Sequence, residues 1–184
     1  RMYRVPYAGA HLIIHSLKDK PFCMSINFNL PHGASTSTMK LRPNDPETYK
    51  TLYRDKEIPL PKYYTEKKAI TLPKLPADIL RANDRQDIYD FVDNEEDLRE
   101  RIIRNMQAVT GIDALVGNLR QTLNDRNLDK NTIIIFTSDH GIFWGENGLG
   151  GKALCYEACT RVPMIIYDPN ASKKRNTSIT RKLK

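Results

Sequence analysis

A long helical periodicity that runs into a short β-branched strand constrains this chain more than any other feature. Between residues 95 and 124, Leu98, Ile102, Met106, Val109, Ile112, Leu115, Val116, Leu119 and Leu123 recur at three- and four-residue steps, the signature of a helix with one apolar face. Gly111 and Gly117 weaken that helix, and each marks close packing or a bend. No glycine follows the last apolar position, so the stop is expected at residues 124–127, where asparagine tolerates the left-handed conformation a helix end often needs. Residues 132–137, Thr-Ile-Ile-Ile-Phe-Thr, then read as a strand buried on both faces, as in a parallel sheet. A helix feeding such a strand is one step of an α/β fold.

Further strands are expected at residues 22–28 and 164–167, the latter opened by Pro163, which suits only a strand's start. Short helices are expected at 7–17 and 153–159. His11 and His15 lie four apart in the first, but no HExxH glutamate accompanies them, so they read as solvent-facing or core-edge residues. Between residues 34 and 85 six prolines alternate with tyrosines and charges, which denies a long helix or central strand and reads as an insertion or lid-like segment. The acidic run from Asp84 to Asp97 lacks EF-hand spacing and reads as a solvated helix face.

The chemistry gathers at the end of the 132–137 strand. Asp139 and His140 follow it directly, and ligands of open α/β sheets sit at the carboxyl ends of strands. A flexible glycine-rich loop with Gly145, Gly148, Gly150 and Gly151 then delivers Lys152. An acid–imidazole pair can hold a divalent cation or only cap a turn, and Lys152 can neutralise a tetrahedral anion or only be solvated. Their shared sheet edge favours a site for an anionic substrate. His32, between Pro31 and Gly33 just past the 22–28 strand, stands at the same kind of edge. A P-loop is excluded because Glu146 and Ala153 occupy positions that need Gly and Ser or Thr; GxGxxG and GxSxG are also absent.

Charge bears on partners. The net charge of +7 lies in the tail: from Ala171 onward there are six basic residues and no acid, leaving 23 basic against 22 acidic residues in the body. A near-neutral body argues against nucleic acid, and residues 170–184 read as a solvated, disordered basic tail, with polyanion binding as the alternative. No apolar run approaches the ~20 residues of a membrane span. Cys23, Cys155 and Cys159, odd in number and without CxxC spacing, read as small buried hydrophobes rather than a disulfide framework.

Ser138-Asp-His-Gly141, Gly145-Glu-Asn-Gly148, Gly151-Lys152, Tyr156-Glu157 and Arg161 through Pro169 together resemble the sulfatase family of the alkaline phosphatase superfamily, and Pro31-His32-Gly33 is similar to that family's other active-site histidine segment. The resemblance implies an α/β chain forming part of an alkaline-phosphatase-like sandwich, with a mostly parallel central sheet flanked by helices. Residues 1–169 would be a partial catalytic domain. Asp139 and His140 would ligate a divalent metal, usually calcium, the family using Asn or His at the second position. Lys152 and His32 would contact the sulfate, with His32 also handling a proton at the nucleophile.

The implied reaction is hydrolysis of a sulfate monoester, on a sulfated small molecule or glycan, by a metal-assisted formylglycine mechanism. The superfamily also implies, as the runner-up, a phosphonate monoester or phosphodiester hydrolase; a non-catalytic polyanion-binding module is the rival from another class. No C/S-x-P-x-R motif, the source of formylglycine, is present. The expectation is an internal piece, inactive alone, whose partner is the N-terminal part of the same catalytic domain. Asn147 stands where the family commonly has histidine. The family suggests a periplasmic, secreted or lysosomal setting.

Overall fold

In a computed structural model the described residues are 2–6, 21–28, 31–32, 43, 47–64, 94–152 and 154–171. The expected 7–17 helix, the segments 33–42 and 65–93 and the tail from residue 172 lie outside them. The described elements are β1 (Met2–Pro6), β2 (Cys23–Asn27), α1 (Glu47–Thr51), α2 (Glu95–Asp125), a 3-10 turn (Asp129–Asn131), β3 (Ile134–Thr137), β4 (Phe143–Trp144), β5 (Gly150–Gly151), α3 (Glu157–Thr160) and β6 (Met164–Tyr167).

Helix α2 is the backbone of the assembly. Its start is fixed by Asn94, whose side-chain oxygen accepts from the Asp97 amide at 2.8 Å, with Glu95, Glu96 and Asp97 placing negative charge on the first turn. Its end is a Schellman motif. The Leu128 amide donates to the Leu123 carbonyl and the Asn127 amide to the Asn124 carbonyl, both at 2.9 Å, around Asn127 at φ 55°. Leu128 also packs back on Leu123, the apolar contact that accompanies this cap.

Two core clusters are strung along α2. Near its C-terminus Leu119 and Leu123 receive Phe22, Met24 and Ile26 from β2 and its approach, together with Ile134 from β3. Near its N-terminus Leu98, fully buried, receives Leu60, Tyr64, Ile102 and Trp144. Between them the apolar stripe read from the sequence is interrupted. Val109 is exposed, whereas Arg101, Arg104 and Gln107 are buried. Gln107 is enclosed because its amide donates to the Leu52 carbonyl at 2.8 Å and its oxygen accepts from Arg104 at 2.9 Å, so both polar ends are satisfied.

The Leu52 contact belongs to a strap, residues 50–64, that runs along α2. Tyr53 Oη and Thr110 Oγ1 are 2.7 Å apart, Arg54 makes a two-pronged pair with Glu100 at 2.6 and 2.8 Å, and Arg99 donates to the Ile58 carbonyl. Leu60 and Tyr64 then close over Leu98.

The expected mostly parallel central sheet is not seen among the described residues. Strands β1 and β2 are parallel, but β3 pairs antiparallel with β6, Ile135 opposite Ile166, and β4 pairs antiparallel with β5. The apolar run of β3 is covered on one side only: Ile134 faces α2, while Ile135 and Ile166 stay 57% and 60% exposed. An unbroken apolar strand predicts two covered faces; among the described residues only α2 supplies a cover. The glycine-rich segment, expected as a flexible loop, is the β4–β5 hairpin.

Candidate active site

The β3–β6 ladder ends at Thr137, whose hydroxyl donates to the Pro163 carbonyl at 2.9 Å. Beyond it the backbone turns sharply. Ser138 Oγ donates to the His140 carbonyl at 2.9 Å, and Asp139 Oδ1 accepts from the His140 amide at 3.0 Å. Gly141 ends the turn by donating to the Cys159 carbonyl at 2.8 Å. A Cβ there would lie 2.0 Å from the Ala158 carbonyl oxygen, so only glycine allows α3 to come this close.

The hairpin is tightly folded. Glu146 Oε2 accepts from the Trp144 amide at 2.6 Å, the Gly145 amide donates to Leu149 O at 2.9 Å, and Gly145, Asn147 and Gly148 all take positive φ. At its base Phe143 is buried edge-on against Tyr156, ring centres 5.7 Å apart. Lys152 leaves this base and places Nζ 2.6 Å from His140 Nε2.

That contact defines the imidazole. His140 Nδ1 lies 2.8 Å from the Gly141 carbonyl oxygen, which can only accept, so Nδ1 carries the hydrogen. Nε2 keeps a lone pair, turned toward the Lys152 ammonium. A ring nitrogen whose partner is pinned to a carbonyl is the usual form of a metal-ligating histidine. Asp139 Oδ1 is 3.7 Å from the same Nε2. Burial pushes the Asp139 carboxyl up, but main-chain amides and the Lys152 ammonium draw it down, and the group stays below the usual carboxylate value.

Asp139, His140 and Lys152 therefore meet as the sequence suggested. One carboxylate and one imidazole lone pair fit a divalent cation in kind, although calcium takes six to eight oxygen ligands; among the described residues no cluster of three or more ligating side chains forms. His32 is exposed in the turn after β2. The sequence did not show which part of the fold Tyr64 and the strap would meet. Tyr64 forms a bridge with Glu146, and the Asn147 amide donates to the Tyr63 carbonyl at 2.8 Å; no spacing rule links positions more than eighty residues apart.

The sulfatase family model matches residues 6–182. The chain belongs to the sulfatase family. This sulfatase chain is 30% identical over 150 residues to a choline-sulfatase of Rhizobium meliloti, covering 82% of this chain and 27% of that protein. A Bacteroides fragilis structure solved as a candidate sulfatase superposes with TM-score 0.56 at 29% identity, over 89% of this chain and 30% of that one. The phosphonate monoester hydrolase of Agrobacterium radiobacter shares the fold, with TM-score 0.62 at 23% identity over 87% of this chain and 32% of its own. The sulfatase chain thus spans under a third of the length of these three proteins, and its α/β class is that of alkaline-phosphatase-like enzymes. No helix among the described residues is long and apolar enough to cross a membrane.

Proposed function

We propose that this chain is the part of a sulfuric ester hydrolase that grips the sulfate group. The observation that carries the reading is the convergence of Lys152 Nζ, His140 Nε2 and Asp139 at one strand end. Asp139 and His140 would hold a divalent cation, with calcium the expected ion, and that cation would supply charge to the ester oxygens. Lys152 donates to the sulfate oxygens and stabilises charge that grows on them as the ester bond breaks. The Nε2 lone pair that a cation would take is the one Lys152 Nζ faces, so with a cation held there the ammonium would be free to donate to the substrate. His32 would contact the sulfate or move a proton at the nucleophile.

The nucleophile, a formylglycine, belongs to the remainder of the catalytic domain. The exposed face carrying Ile135 and Ile166 is where that remainder would pack. The substrate class is a sulfated small molecule or glycan. A phosphonate monoester or phosphodiester hydrolase is the second reading, favoured by the fold likeness to the Agrobacterium enzyme.

In the complete catalytic domain, Lys152→Ala should lower kcat/KM on an aryl sulfate by roughly 10²–10³. Asp139→Ala should abolish calcium content measured by elemental analysis. Retained metal in the second variant, or undiminished turnover in the first, would refute the site. Phosphate diesters or phosphonates turned over in preference to sulfates would shift the reading to the second enzyme. The chain alone should turn over neither.

A further inference from the structure

The site residues share one anchor and differ in a second. Asp139 and His140 are fixed at the base, where Gly141 is locked to α3 through the Cys159 carbonyl. Lys152 follows β5, whose Gly151 carbonyl accepts from the Cys159 thiol at 3.9 Å at that same base, and β5 is also placed by its pairing with β4, Phe143 opposite Gly151 and Trp144 opposite Gly150. What fixes the hairpin from above is the strap. A Cβ added at Gly145, which sits at φ 92°, would meet Tyr64 Cδ2 at 2.7 Å and a Leu98 methyl at 3.1 Å. The Tyr64 ring and Leu98 thus pack directly against the turn of the hairpin, leaving a space that admits no side chain.

Two main-chain links reinforce the grip. The Asn147 amide donates to the Tyr63 carbonyl, and Tyr64 bridges to Glu146, the residue whose carboxylate holds the Trp144 amide. Tyr64 is itself set by its amide, which donates to the Pro61 carbonyl at 2.9 Å. Upstream, the strap is tied to α2 through Arg54–Glu100 and Tyr53–Thr110.

We infer that Tyr64 is a positioning residue for Lys152: its ring clamps the β4–β5 hairpin onto α2 and thereby sets where the ammonium stands relative to the His140–Asp139 pair. The ring touches the hairpin turn and not the reacting atoms. Its removal therefore leaves the cation ligands, anchored on α3 rather than on the strap, where they are. It frees the lysine-bearing hairpin to drift, and a displacement of about 1 Å at such a group can cost about 10²-fold in rate. The inference rests on the proposed role of Lys152 in binding the sulfate.

The test uses the complete catalytic domain with Tyr64→Ala and Tyr64→Phe. Hydrogen exchange should show the amides of Gly145, Asn147 and Gly148 losing protection in the alanine variant and keeping it in the phenylalanine variant. On an aryl sulfate, Tyr64→Ala should lose roughly 10- to 100-fold in kcat/KM, with calcium content unchanged, and Tyr64→Phe should match the parent. Parent-like exchange and kinetics in Tyr64→Ala would overturn the inference, as would Tyr64→Phe failing as badly as alanine. Loss of calcium in Tyr64→Ala would also overturn it, because the effect would then be general. If the parent hydrolyses no sulfate ester, the functional reading falls, and the exchange arm still decides whether the ring holds the hairpin.

Discussion

At the scale of single residues, Gly141 shows how closely chemistry and packing are joined. Its missing side chain lets the Ala158 and Arg161 carbonyls approach the Asp139–His140 turn. Gly141→Ala must push α3 and the turn apart, at a cost of about 1–3 kcal/mol by the usual penalty for overfilling a packed site. Calcium affinity should fall with it. Urea denaturation and metal titration of the complete domain would check both, and unchanged values in both would mean α3 gives way freely. The meeting of Asp139, His140 and Lys152 was legible because they follow a strand end in an order with chemical meaning. The contact of Tyr64 with the hairpin was not, because it joins segments remote in sequence.

At the scale of elements, the long helix was the most readable part of the chain. Its observed span, Glu95–Asp125, and its asparagine-based stop follow the periodicity and the absence of a capping glycine. Strand β6 was equally plain, since Pro163 and Asp168 bracket it. The polar stripe of Arg101, Arg104 and Gln107 was not readable. Those residues are buried because the strap offers a main-chain carbonyl to Gln107, and hydropathy carries no trace of such an arrangement. The two interior glycines were expected to mark packing or bending. At Gly117 nothing among the described residues lies within 4 Å of an added Cβ. Gly117→Ala should therefore stabilise the fold by about 0.5–1 kcal/mol through the helix preference alone. A rise in the urea midpoint at constant m value would record it, and a fall would show that the glycine serves a contact beyond the described residues.

At the scale of the whole molecule, the β3–β6 sheet determines what the chain needs. Met164 and Ile166 stand on the same side as Ile135 and are largely exposed. Covering an apolar side chain of that size is worth about 1.5–3 kcal/mol. The residues of β3 suit a sheet covered on both sides, and the chain spans under a third of the choline-sulfatase it matches. Ile166→Lys should accordingly cost at least about 2 kcal/mol in the complete domain, where the charge would be enclosed. A change under about 0.5 kcal/mol, the ordinary effect of a surface substitution, would mean that this face is open there too.

Helix α2 carries the strap and hairpin at one end and strands β2 and β3 at the other. It thus acts as a ruler between the lysine and the acid–imidazole pair. Each residue added to an α-helix turns everything beyond it by about 100° and advances it by about 1.5 Å. A one-residue insertion between Ile102 and Leu119 would leave both clusters chemically intact but rotate their seats away from each other. Length in that stretch is therefore expected to tolerate change far less than side-chain identity on its exposed face.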